Sequence, residues 1–161
     1  PDEPAHALVR RLAREKAQVV AQSEAVEKRR FVLGSDTLVV LRDEPIGKPA
    51  GPEEAIQMLT NLTGQIHTVM TGIAVVDSWT GSILDQVVES RVHMREATQA
   101  EIIAYVDIGE SLDKAGAYAL QGEGRRFVKD VWGSESNVIG LPLEETRQLL
   151  QEAARNAENP P

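Results

Sequence analysis

Residues 32–40 read Val-Leu-Gly-Ser-Asp-Thr-Leu-Val-Val. The run is apolar and rich in β-branched residues, with one small polar insert. Such a run predicts a buried strand with both faces covered. A carboxylate inside that strand is costly to bury alone. Asp36 therefore needs a partner: a metal, a lysine or an array of donors. The alternative is that Asp36 serves the backbone, turning the chain or accepting N–H bonds. From the residue alone the two roles are evenly matched.

The flanking sequence places other candidates by local rules. Residues 4–22 predict a helix, with Leu8, Val9, Leu12, Ala13, Val19 and Val20 at helical spacing. Lys16 falls between Leu12 and Val20 on that stripe, where a lysine either snorkels outward or delivers its ammonium to a polar site. Residues 42–45 predict a turn. In Gly47-Lys48-Pro49 the glycine allows close backbone approach and the proline holds Lys48 extended. Pro52 opens a helix that Gly64 suits as a terminator. Residues 67–76 and 83–94 predict a long antiparallel hairpin, the second strand alternating Val88, Ser90, Val92 and Met94 with polar residues. His67 and His93 lack metal-ligand spacing and read as ordinary strand histidines.

Thr98 and Glu101 form a capping box before a helix to about Val106. Residues 112–124 are rich in small residues and hold Asp113 and Lys114. Residues 127–132 predict a strand, 133–137 a polar loop, and 138–141 an apolar connection. Pro142 starts a last amphipathic helix, and 156–161 predict a disordered tail. Strands and helices alternate without βαβ regularity, which predicts a single α/β domain over 1–155 with a mixed sheet and an antiparallel section.

Composition narrows the function classes. Aromatic residues are only 4% of the 161, so aliphatic side chains must fill the core. There is no cysteine, which removes disulfides and thiolate metal sites. The net charge is −8, so long nucleic acid is not an expected partner, whereas a small anion needs only a few local cations. No stretch approaches membrane-spanning length. Neither a phosphate-binding P-loop nor a dinucleotide fingerprint is present, and no serine sits in a nucleophile-elbow setting. What remains is acid–base or metal-assisted chemistry by Asp, Glu and Lys.

Several motifs then occur in order: Leu12-Ala13-Arg14-Glu15-Lys16-Ala17, Gly34-Ser35-Asp36-Thr37, Gly47-Lys48-Pro49, Met70-Thr71-Gly72, Asp113-Lys114-Ala115-Gly116-Ala117-Tyr118, Gln121-Gly122 and Val138-Ile139-Gly140-Leu141-Pro142-Leu143. Together they resemble the Maf family, also called the septum formation inhibitor family, from Pro4 to Leu150. The resemblance implies a two-lobed α/β fold with a central cleft, similar to the inosine triphosphate pyrophosphatase group. It implies a cytoplasmic, often dimeric enzyme that uses a divalent metal, Mg²⁺ or Mn²⁺. The implied reaction cuts a nucleoside triphosphate between its α and β phosphates. By motif, Asp36 matches the general base and a metal contact, and Lys16 and Lys48 match phosphate-binding lysines. Thr37 and Gln121 match positions tied to base preference, and Asp113 matches a motif position in the substrate site. The Asp-Lys-Ala-Gly-Ala-Tyr version is similar to the branch acting on dTTP and UTP, modified pyrimidine nucleotides included.

Elementary chemistry agrees with the resemblance. Cleaving a phosphoanhydride needs neutralised phosphates and a positioned water. Two lysines and a divalent cation supply the first, and a carboxylate can accept a proton from the second. A glutamine offers both a donor and an acceptor to a pyrimidine edge. The sequence departs from the family pattern in two places. The family's opening strand and Ser-x-Ser-Pro-Arg-Arg loop have no counterpart here, so the chain reads as a fragment of a longer protein in preference to a naturally shortened homologue. Glu135 stands where the family usually has an aromatic residue. A non-catalytic nucleotide-binding regulator of cell division is the alternative expectation.

Overall fold

The structure is a computed structural model that describes residues 3–23 and 28–158. Helix α1 spans Ala5–Ala21, and strand β1 spans Phe31–Leu41. Strand β2 (Glu44–Ile46) and helix α2 (Pro52–Leu62) follow. The hairpin strands β3 and β4 are Ile66–Asp77 and Ile83–Met94. Helix α3 (Gln99–Val106), strand β5 (Val128–Trp132) and helices α4 (Glu135–Ile139) and α5 (Leu143–Glu158) complete the described chain. The strands form one sheet in the order β2-β1-β3-β4-β5. The α/β class and the long hairpin match the expectation.

The neighbouring strands run in opposite senses. Val39 to Leu41 pair with Ile46 to Glu44, and Arg91 to His93 pair with Trp132 to Asp130. Arg30 meets Ser78 while Thr37 meets Thr71, so residue numbers also run oppositely across β1 and β3. The expected mixed sheet is thus antiparallel at these pairings. The sequence did not disclose β2. Its turn is made by Arg42 and Asp43, both with positive φ (52° and 67°), the conformation of a tight hairpin turn. Neither residue is the glycine or asparagine that normally announces such a turn. Pro45 is tolerated because β2 lies at the sheet edge.

Burial corrects two readings. Strand β1 is mostly half-buried, whereas β3 is buried at every residue from Thr71 to Asp77. The strand covered on both faces is therefore β3. On α1 the buried residues are Val9, Ala13, Ala17 and Ala21, with Val19 71% exposed. The buried ridge lies one residue away from the Leu8–Leu12–Lys16–Val20 ridge. The connection expected at 133–141 contains α4, and α5 continues through residues 156–158, part of the expected tail. Residues 159–161 lie outside the described residues.

By contacts the chain divides into two units. One comprises Pro1–Thr37, Thr71–Val88 and Gly140–Pro161. In it α1 lies directly on the strands. A Cβ at Gly34 would be driven into the Ala13 carbonyl and sit 2.8 Å from the Ala17 nitrogen. A Cβ at Gly72 would strike Val9 backbone and sit 2.9 Å from the Arg10 nitrogen. Small residues at these two positions let helix backbone approach strand backbone. Ile73 and Val75 pack with Leu149 and Ala153 of α5. Arg10 and Arg14 both donate to Asp85, whose side chain is buried. Arg29 binds Asp77 at 2.5 Å and holds its carboxyl down to about 2.

The other unit comprises Leu38–Met70 and Glu89–Ile139. Its core includes Leu59, Leu62, Val69, Met94, Ile102, Tyr105 and Phe127. Burying one aliphatic or aromatic side chain of this size contributes roughly 1.5–3 kcal/mol. The capping box of α3 forms as expected, Thr98 accepting from the Glu101 N–H and Glu101 accepting from the Thr98 N–H. Among the described residues no helix is long and apolar enough to cross a membrane.

Candidate active site

Asp36 finds the partner that its position demands. Lys16 donates from Nζ to Asp36 Oδ1 at 2.5 Å and to the Ser35 carbonyl at 3.2 Å. The lysine side chain is 57% exposed and the aspartate 17%. An ion pair with one member this exposed contributes only about 0–1 kcal/mol. It aims the two side chains without locking them. Lys16 does this from the half-exposed ridge of α1, about one turn after Ala13 and next to Ala17, the two residues that meet Gly34. Helical spacing carried the lysine to the strand that holds the aspartate.

Alternation along β1 sends the next residue the other way. Thr37 Oγ1 lies 2.9 Å from Thr71 Oγ1 and 3.5 Å from the Gly140 carbonyl. Ser35 Oγ donates to the same carbonyl at 3.3 Å. Three motifs of the sequence thus meet: Gly34-Ser35-Asp36-Thr37, Met70-Thr71-Gly72 and the segment around Gly140. Gly140, with φ 125°, accepts both hydroxyls at its carbonyl.

Lys48, Asp113 and Gln121 belong to the other unit. All three are exposed. The Gly116 N–H donates to the Gly47 carbonyl at 3.0 Å, joining the Gly-Lys-Pro loop to the Asp-Lys-Ala-Gly-Ala-Tyr turn. Pro49 is buried just after Lys48. Lys114 donates to Asp113 at 2.7 Å. That bond, aided by the more distant charge of Lys48, holds the Asp113 carboxyl below its ordinary range. The Gln121-Gly122 pair precedes a short 3₁₀ turn at Glu123–Phe127, whose Glu123 and Gly124 amides donate to Glu110. Glu135, the residue in place of an aromatic, pairs with Arg125 at 3.0 Å.

In the sequence, His67 reads as an ordinary strand histidine and Tyr118 as a motif residue, and the two are not joined. His67 is buried, and its Nε2 lies 2.8 Å from the Tyr118 hydroxyl. Burial pulls the imidazole down to about 4 and pushes the phenol up. The signal was available: position 67 shares strand parity with Val69 and Thr71, and a polar residue on a core face must find a partner. His93, by contrast, sits 3.5 Å from Asp130 and stacks on Trp132, as an ordinary strand histidine would. Among the described residues no group of three or more histidines and carboxylates is placed to hold a metal.

The comparisons with known proteins point in one direction. The chain is 49% identical over 156 residues to a dTTP/UTP pyrophosphatase of Anaeromyxobacter sp. (strain Fw109-5), covering 95% of this chain and 73% of that protein. It is 50% identical over 151 residues to a dTTP/UTP pyrophosphatase of Escherichia coli O157:H7, covering 93% of this chain and 74% of that protein. A dTTP/UTP pyrophosphatase of Desulforamulus reducens is 44% identical over 146 residues, with 89% and 74% covered. The family model described as Maf-like protein matches residues 1–153. With nearly the whole length matched, the chain belongs to the Maf-like protein family.

Proposed function

We propose that this protein hydrolyses dTTP and UTP to the nucleoside monophosphate and pyrophosphate, with Asp36 as general base. The observation that carries the reading is the Lys16–Asp36 pair, a carboxylate and an ammonium in direct contact with the lysine largely exposed. The names of relatives about half identical to this chain support the reaction class and the pyrimidine preference.

In this reading Lys16 and Lys48 bind phosphate oxygens. The weak pair with Asp36 lets Lys16 exchange its carboxylate for a phosphate at little cost. Asp36 then accepts a proton from the water whose oxygen bonds to the α phosphorus as the bond from that phosphorus to the bridging oxygen breaks and pyrophosphate leaves. Asp113, which feels the charge of Lys48 at longer range, completes the polar surroundings of the substrate. Thr37 and Gln121 set the base preference, Gln121 by offering a donor and an acceptor.

The donor set fits a divalent cation that arrives with the nucleotide. Asp36 uses one carboxylate oxygen for Lys16, which leaves the second as a hard ligand. Mg²⁺ is commonly held by one or two carboxylates plus substrate phosphates, so no larger protein cluster is required. Such an ion, when bound, neutralises phosphate charge. The same reading makes the protein a cytoplasmic homodimer.

The test is release of pyrophosphate from dTTP, UTP, GTP and ATP with Mg²⁺ or Mn²⁺. The expected result is release from dTTP and UTP at least about tenfold faster than from the purines, a factor worth ~1.4 kcal/mol of transition-state discrimination. No release from any of them overturns the proposal. Calorimetric binding of dTTP without turnover would favour the nucleotide-binding regulator instead.

A further inference from the structure

We propose that His67 is a positioning residue for Lys48, acting through Tyr118 and the turn that Tyr118 closes. The proposal rests on Lys48 binding substrate, as argued above. Every link lies within one of the two units. Strand alternation puts His67 on the core face of β3, where it is 2% exposed. Its Nε2 is 2.8 Å from the Tyr118 hydroxyl, and the two rings meet edge-on with centroids 5.5 Å apart. Tyr118 is itself 5% exposed.

The two residues before Tyr118 make the turn. Gly116 and Ala117 both have positive φ, 71° and 61°. A non-glycine residue with positive φ persists only where its surroundings hold it. Here the Gly116 amide donates to the Gly47 carbonyl, the residue before Lys48. A Cβ at Gly116 would lie 3.0 Å from Val39 and 3.3 Å from Leu62, so the turn sits against the core. The continuous path is His67, Tyr118, Ala117, Gly116, Gly47, Lys48.

The tautomer follows from counting partners. His67 Nδ1 is buried with no hydrogen-bond partner among the described residues. If Nε2–H donated to the phenol, both Nδ1 and the tyrosine proton would be unpaired. If the phenol donates to Nε2, only Nδ1–H is unpaired. The second arrangement leaves one orphan rather than two and assigns Tyr118 as donor. A pair of apolar side chains would fill the same space with no orphan. The polar pair is accounted for by the direction it imposes on the Tyr118 ring, and through that ring on the turn.

The experiment has two readouts, exchange of the Gly116 amide hydrogen and the KM and kcat for dTTP. Tyr118→Phe and His67→Leu each remove the bond, and His67→Gln retains a side-chain amide that can meet Tyr118. The expected result is Gly116 exchange about tenfold faster in the first two variants, relative to α3 amides, with recovery in His67→Gln. KM rises roughly fivefold with kcat little changed, and Tyr118→Phe adds nothing to KM in a Lys48→Ala background. The proposal is overturned if Gly116 protection is unchanged in both variants, or if the Tyr118→Phe and Lys48→Ala effects on KM simply add. It is also overturned if melting temperature falls while Gly116 and α3 amides loosen together, since that is a core defect only. Should the unmodified protein release pyrophosphate from no nucleotide, the proposed reaction fails, and the exchange result still decides whether the His67–Tyr118 pair holds the Lys48 loop.

Discussion

At the scale of single residues, the acidic side chains are held in two different ways. Asp77 and Asp85 are buried carboxylates held by arginines, and both are structural. Asp36 is paired with an exposed lysine, an arrangement that contributes little stability and leaves both groups available. His67 gives a stability signature that can be measured. Its folded value near 4 lies below the ordinary 6.5. Between those values the unfolded chain binds a proton that the folded chain refuses, so stability falls as pH drops from about 6.5 towards 4. At pH 5 the expected loss from this group is about 1–2 kcal/mol relative to pH 7. Urea midpoints at the two pH values should show it, and His67→Gln should remove that part of the slope. Equal slopes in the two proteins would contradict the assignment.

At the scale of elements, the decisive features are the close approaches. Helix α1 reaches the strands through Gly34 and Gly72, and this approach is what sets Lys16 beside Asp36. Gly72→Ala should destabilise by about 2 kcal/mol or more, because the added methyl meets Val9 backbone rather than a movable side chain. Denaturant unfolding checks the stability, and loss of the Lys16–Asp36 geometry should lower turnover beyond the loss in folded fraction. A Gly72→Ala protein of unchanged stability would refute the packing. The elements themselves were largely legible, because helical stripes, β-branched runs and a capping box are local signals. Strand β2 was not, because its three residues are too few to show alternation and two of them fall in the stretch read as a turn. Helix α4 was not, because five residues are too few to show a period. The misplaced stripe on α1 has a similar cause. Val19 and Val20 look apolar enough to be buried, but the ridge that touches the strands is made of alanines.

At the scale of the whole molecule, a chain of net charge −8 is read as handling a polyanion through a few placed cations. Local rules brought out Asp36, Lys16 and Lys48 singly, and the ordered motifs gave them a common chemistry. The contacts around these residues within each unit stayed hidden, because they join residues distant in sequence. Thr37 with Thr71, Gly116 with Gly47 and His67 with Tyr118 are pairings that no local pattern announces. The account stands or falls on Asp36. The direct measurement is turnover of dTTP by Asp36→Asn against the unmodified protein, with nucleotide binding followed by calorimetry. An asparagine keeps the shape and cannot take a proton from water. The account predicts a fall in kcat of about 10²–10⁴-fold, with dTTP still bound. Turnover within about threefold of the unmodified protein, a change worth under ~1 kcal/mol in the barrier, would contradict it.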